Sequence, residues 1–457
     1  MRRHPAIRLC ICLAFLFPFA LQATSTAATQ RPNIVLIVAD DLGYGDLGCY
    51  GSSVNRTPHI DRLAATGLRF TDFHSNGPMC TPTRAAMLTG LYQQRFGKEF
   101  DGPLSGKTSR DHGLPLEAVT VAEVLKPRGY ASACFGKWHL GYIPPWLPIG
   151  QGFDVFRGLG SGDGDHHTHI DRSGREDWWH DNEIAMEEGY TADLLTRYSV
   201  DFIEQHRNAP FFLYVPHLAI HFPWQGPDDP PHREKGKDYW DDKWGIIPDP
   251  ANVAPHIKAM VESVDDSVGR IVGTLERLGL KDQTLVVFTS DNGGYLTYGP
   301  KYRNISSNGP LRAQKGSVYE GGHRVPAIFY WPGKIASGVT EETAISVDLL
   351  PTFAAIAGAD TAGSGFDGVD LSPILFHGKS LPPRDLFWRM QSKKALRRGP
   401  WKMVEVKPGR VELYNLKNDL GEQDDLAGER AELVRELRTA WGQWERDVDE
   451  SAKVYQP

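Results

Sequence analysis

Short apolar runs recur along the chain, and each ends in polar or glycine-rich residues. Residues 33–39 read NIVLIVA and stop at Asp40-Asp41, ahead of Gly43-Tyr44-Gly45. Residues 285–289 (LVVFT) lead into Asp291-Asn292-Gly293-Gly294, and residues 210–215 (PFFLYV) into Pro216-His217. A weaker run, 131–135, precedes Gly136-Lys137-Trp138-His139. Short, continuous, β-branched runs indicate strands buried on both faces. Helical periodicity lies between them, at 59–67, 120–128, 191–206 and 257–278. The alternation predicts an α/β fold: a large, mainly parallel mixed sheet flanked by helices. Ligands of such sheets bind beyond the strands' carboxyl ends, and that is where the polar clusters fall.

The pattern changes after Pro382-Pro383. Strand-like pieces at 385–389, 401–406 and 411–414, an acidic turn at 418–425 and an amphipathic helix at 431–448 predict a small C-terminal α+β subdomain. The expected division is a main domain over 29–380 and a subdomain over 381–457. Two inserts, 142–182 and 222–252, are too long for simple connections. At the start, Arg2, Arg3 and Arg8 precede an apolar run over 9–21 and small residues over 23–28, the order of a signal peptide at 1–28. The run is short for a membrane span. An exported chain, secreted or periplasmic and without a span after cleavage, is therefore expected; an uncleaved anchor is the alternative.

Of 457 residues, 40% are hydrophobic and 23% charged, enough for a large core and a smaller one. The net charge of −7 argues against a nucleic-acid or general polyanion surface, so the cations serving an anionic substrate must be concentrated in a pocket. Of five cysteines, Cys10 and Cys12 fall in the targeting segment. Cys49, Cys80 and Cys134 remain, an odd number for an oxidising compartment and without zinc-site spacing. A Cys49–Cys134 disulfide stays open.

The sharpest chemical feature is Cys80-Thr81-Pro82-Thr83-Arg84, continuing to Thr89-Gly90. Thr81 suits an N-cap and Pro82 a first helical position. Cys80 would then sit at a helix start, where backbone N–H groups favour an anion, with Arg84 one turn along. Asp40, Asp41, Asp291 and Asn292 offer oxygens suited to a hard cation such as calcium rather than zinc. In an extended backbone, Lys137 and His139 would point to one side. His166, His167 and His169 could bind substrate or a second metal, although a polar surface loop is the expectation. The inserts carry Trp146, Trp178, Trp179, Trp224, Tyr239, Trp240 and Trp244, which could stack on sugars or simply pack a core.

Cys80-x-Pro-x-Arg84 and its helix resemble the signature of the type I sulfatase family, within the alkaline phosphatase superfamily. So do Gly136-Lys137-Trp138-His139-Leu140-Gly141, His221-Phe222-Pro223, the stretch around Lys315, Tyr319 to Gly333, and Leu413 to Leu416. The resemblance implies a sulfate monoester hydrolase in which a maturation enzyme oxidises Cys80 to formylglycine. It implies one calcium ion held by Asp40, Asp41, residue 80, Asp291 and Asn292; the superfamily's two-zinc phosphatases commonly have a histidine in place of Asn292. It implies that Cys80, Arg84, Lys137, His139, His221 and Lys315 carry catalysis. The hydrated aldehyde would attack sulfur, His221 protonating the departing alcohol and His139 deprotonating the second hydroxyl. His217 competes with His221 for its role, but His221 fits the family's His-x-Pro. The expected substrate is a sulfated carbohydrate. A phosphonate or phosphate ester hydrolase, and a sulfated-glycan-binding protein without turnover, are the rivals.

Overall fold

The computed structural model describes Met1 and residues 31–245, 247 and 249–455. The expected targeting segment, 1–28, lies outside them apart from Met1. Asn33–Ala39 is a central strand of an 11-stranded sheet. Thr284–Ser290 and Phe211–Pro216 flank it in parallel, followed outward by Ala131–Lys137 and Val155–Leu159 on one side. On the other, Arg324–Tyr330 pairs antiparallel with Thr284–Ser290, and Leu68–His74 antiparallel with Arg324–Tyr330. The sheet is thus mixed but parallel at its centre.

The period of two explains the apolar runs. Ile34, Leu36 and Val38 face one core, with residues of the helices Cys80–Thr89 and Leu349–Ala357. Val35, Ile37 and Ala39 face the other, with the helices Pro58–Thr66, Thr191–Gln205 and Ala254–Arg277. Every position of Asn33–Ala39 is buried, so no polar alternation is possible there. Cys134 belongs to the first core and Cys49 packs against the second; both are free thiols, so the disulfide left open above does not form.

The C-terminal part is a four-stranded antiparallel sheet, Asp385–Met390, Lys393–Arg398, Trp401–Lys407 and Arg410–Asn415, followed by the helix Ala431–Ser451. It docks through buried charge. Arg397 grips both carboxylate oxygens of Asp72 at 2.6 Å. Lys402 donates to Glu320 at 2.8 Å and lies 2.9 Å from Glu422. Burial raises the Asp72 carboxyl, yet Arg324 and Arg397 hold it well below the usual carboxylate range. Among the described residues, no helix is long and apolar enough to cross a membrane.

Lys402 is fully buried between two carboxylates. Removing one partner of such a pair strands the others, at about 3–5 kcal/mol. Lys402→Met is therefore expected to lower the denaturant-unfolding free energy by that amount, and an unchanged midpoint would contradict the docking role.

Candidate active site

The carboxyl ends of Asn33–Ala39 and Thr284–Ser290 deliver Asp40, Asp41, Asp291 and Asn292 to one buried point. Asp41 has φ +62°, and its N–H donates to Asp291 at 3.2 Å. Across from them the helix Cys80–Thr89 begins, with the Cys80 thiol donating to Asp40 Oδ1 at 3.4 Å. Ligand atoms of Asp40, Asp41, Cys80 and Asp291 all lie within 4.8 Å of one another.

Three cations answer these carboxylates. Arg84 donates through Nε and Nη2 to Asp291 at 3.0 and 2.8 Å, and through Nη1 to the Lys137 carbonyl at 2.7 Å. Lys137 pairs with Asp40. Lys315 pairs with Asp41 and donates to Cys80 Sγ at 3.3 Å. Even so, burial and the nearby Asp291 push the Asp40 carboxyl up to about 8. Asn292 Nδ2 donates to Asp41 at 2.9 Å, while its buried Oδ1 has no hydrogen-bond partner. An orphaned amide oxygen beside clustered carboxylates fits a hard divalent cation, whose ligands are oxygens. A second buried cluster, His74, Glu320 and His323, already contains the Lys402 ammonium, 3.1 Å from His323.

Burial and Asp40 push the Cys80 thiol up to about 12, so an unmodified Cys80 stays protonated and is a poor nucleophile.

Two expected details differ. Thr81 does not cap its helix; its hydroxyl donates to the His139 carbonyl at 3.0 Å and accepts from Leu104 N at 3.1 Å. His139 is not extended but has φ +57°. Its Nε2–H donates to the Leu104 carbonyl at 3.0 Å, which fixes the tautomer and leaves the buried Nδ1 unpartnered. Burial and Lys137 hold this imidazole well below its ordinary value. His221 donates from Nδ1 to the Phe222 carbonyl at 2.8 Å, and its Nε2 lies 4.0 Å from Asp41. Burial, Lys137 and Lys315 hold it neutral as well.

Cys80, His139, His221 and Lys315 line one cleft of about 290 Å³; His217 is buried and does not line it. The histidine-rich loop is not a polar surface loop. His166 is buried, donating to the His221 carbonyl at 3.1 Å; His167 is half-buried, donating to the Gly226 carbonyl at 3.2 Å; and His169 is buried, stacked on Trp178. The partners of His166 and His167 lie 55 and 59 positions away, so nothing local signalled their burial. Of the insert aromatics, Trp178, Trp179, Trp224, Tyr239 and Trp244 are buried, while Trp240 reaches the cleft wall. Gly162, also on that wall, went unnoticed in the sequence: a Cβ there would lie 2.3 Å from the His139 ring.

Clustered carboxylates and cations at the strand ends of an α/β sheet, beneath a helix start, fit a hydrolase for anionic esters. More specifically, the chain belongs to the sulfatase family, whose model matches residues 32–359. It is 40% identical to arylsulfatase A of Homo sapiens over 392 residues, 80% of this chain and 72% of that protein. It is 34% identical to N-acetylgalactosamine-6-sulfatase of Rattus norvegicus over 402 residues, 84% and 73% of the two chains. Among solved structures, Ps i-CgsB in complex with k-i-k-neocarrahexaose superposes with a TM-score of 0.79 at 32% identity, covering 91% of this chain and 93% of that one. The protein is a sulfuric ester hydrolase.

Gly162→Ala should fold but displace the His139 ring. Misplacement on the scale of an ångström costs about 10²-fold in rate, so steady-state turnover should fall by that order with the unfolding midpoint kept. Undiminished turnover would show that the ring position does not matter.

Proposed function

We propose that this chain is an exported sulfatase of sulfated carbohydrates, working with one calcium ion and with residue 80 converted to formylglycine by a maturation enzyme. The observation that carries this reading is the meeting of Cys80 with Asp40 and Lys315 on the floor of the cleft. Export rests on the order of basic, apolar and small residues over 1–28. The carbohydrate substrate is supported by N-acetylgalactosamine-6-sulfatase among the relatives and by the neocarrahexaose bound to the similar structure.

Asp40, Asp41, Asp291 and Asn292 would hold the calcium ion, which supplies Lewis-acid stabilisation of developing negative charge. Formylglycine supplies, when hydrated, an oxygen nucleophile in place of the protonated thiol. The protein's own groups do the rest. Arg84 is spent largely on Asp291 and the Lys137 carbonyl, so it fixes the floor and adds positive potential. Lys137 and Lys315 bring ammonium groups to the reacting centre and oppose charge gathering on the sulfuryl oxygens.

His139 acts through Nδ1, the atom its tautomer leaves free, as a base toward residue 80. His221 acts through Nε2 toward the departing oxygen. Its part is to deliver a proton to that oxygen as the bond to sulfur breaks. That proton matters for a sugar alkoxide, a poor leaving group, and hardly for a nitrophenolate.

The test pairs mass spectrometry of the Cys80 peptide with turnover. Protein made with a maturation enzyme should show the thiol-to-aldehyde mass loss and hydrolyse 4-nitrophenyl sulfate in preference to 4-nitrophenyl phosphate. Cys80→Ala should lose at least about 10³-fold in rate. Full activity of Cys80→Ala, or preference for the phosphate, would reject the reading.

A further inference from the structure

The rim of the cleft is built from cations lying on aromatic faces. Lys243 Nζ lies 4.6 Å from the ring centre of Trp244, 5.1 Å from Tyr298 and 5.6 Å from Phe222. Among the described residues no carboxylate pairs with it; the adjacent Asp242 turns to His232 at 3.8 Å. Its backbone is pinned, because buried Arg233 donates to the Lys243 carbonyl at 3.2 Å and Trp224 N to the Trp244 carbonyl at 3.1 Å. The ammonium is therefore pre-positioned on the cleft wall without a counter-charge.

Arg172 also lies over Phe222, 5.0 Å from its ring centre and 4.6 Å from that of Trp240. It is tied to Asp163, which also receives Arg233 at 3.0 Å. Burial raises the Asp163 carboxyl, but Arg233 and Arg172 bring it down to about 2, so one carboxylate is shared by two guanidinium groups. Trp240 carries Lys107 as well, 5.4 Å from its ring centre. The one insert tryptophan at the cleft thus has cations on its ring, an arrangement for charge rather than for a bare sugar face.

We propose that Lys243, with Arg172 over the same Phe222 ring, binds a second anionic group of the substrate while Lys315 at the cleft floor receives the scissile sulfate. The preferred substrate is then a glycan with at least two negative groups near each other, the second being a sulfate ester or a uronate carboxylate. The proposal rests on the sulfatase reading above for the place of the first anion. A chain of net charge −7 gains from concentrating its cations this way, because the potential is focused where the substrate enters.

Calorimetric titration of the full chain carrying Cys80→Ala tests this without consuming the ligand. The probes are κ-type neocarrabiose, which carries a single sulfate, ι-type neocarrabiose, which adds a second, and a chondroitin 6-sulfate disaccharide, which pairs its sulfate with a carboxylate. A probe with the second anion should bind about tenfold more tightly than the κ-type sugar. Adding Lys243→Met should bring that ratio close to one, and Lys243→Arg should retain it. Preference for the ι-type sugar assigns the second group as sulfate, preference for the chondroitin sugar as carboxylate. Should Lys243→Met fail to fold, salt decides: with Lys243 in place the preference should shrink as ionic strength rises. A preference that survives Lys243→Met, one indifferent to salt, or no measurable binding of any probe would overturn the proposal. Turnover by matured protein is read separately, so loss of the sulfatase reading and loss of this subsite are distinguishable.

Discussion

Three carboxylates buried at one point dictate the rest of this molecule. Ionised together in a dry site, Asp40, Asp41 and Asp291 repel strongly unless positive charge is brought to them. The chain brings Lys137, Lys315 and Arg84, one for each. Each arrives on a different element, and the sheet's central strands and the helix Cys80–Thr89 hold those elements in register. With the carboxylates already matched, a divalent cation leaves the site net positive, which suits an anionic ester. Burial and the neighbouring Asp291 push the Asp40 carboxyl up to about 8 even beside Lys137.

Much of this was legible in the chain because burial on both faces leaves unbroken apolar runs. Asn33–Ala39 and the strands beside it were readable for that reason, and so were the acids at their ends. Leu68–His74 (LRFTDFH) was not read as a strand, because its polar positions are satisfied by partners distant in sequence. Lys393–Arg398 (KKALRR) looks like a solvated stretch until Arg397 is seen on Asp72 and Arg398 on Asp385. The same blindness affected single residues. Thr81 has the right type for a cap, but its hydroxyl is taken by the His139 carbonyl, 58 positions away. His139 turns to positive φ, and spacing alone does not reveal a turn at the end of a strand.

The inserts repeat the logic of the floor at a larger radius. At the floor, cations are paired with buried carboxylates that could hold a metal. At the rim, aromatic faces carry cations; Arg172 is paired with Asp163, whereas Lys243 has no carboxylate partner among the described residues. An overall acidic protein can thereby present a positive cleft. Motifs located the cations of the floor in the sequence, whereas Arg172 and Lys243 at the rim emerge only from the packing of the inserts.

The most direct measurement is the thermal-unfolding midpoint of the purified chain as calcium is titrated in after chelation. Binding to the folded state alone stabilises it by about 2.7 kcal/mol at a hundredfold excess over Kd. The midpoint should therefore climb with the logarithm of calcium concentration, and Asp41→Asn should flatten the climb. A midpoint indifferent to both calcium and chelator would contradict the claim that the buried carboxylates are gathered around a hard cation.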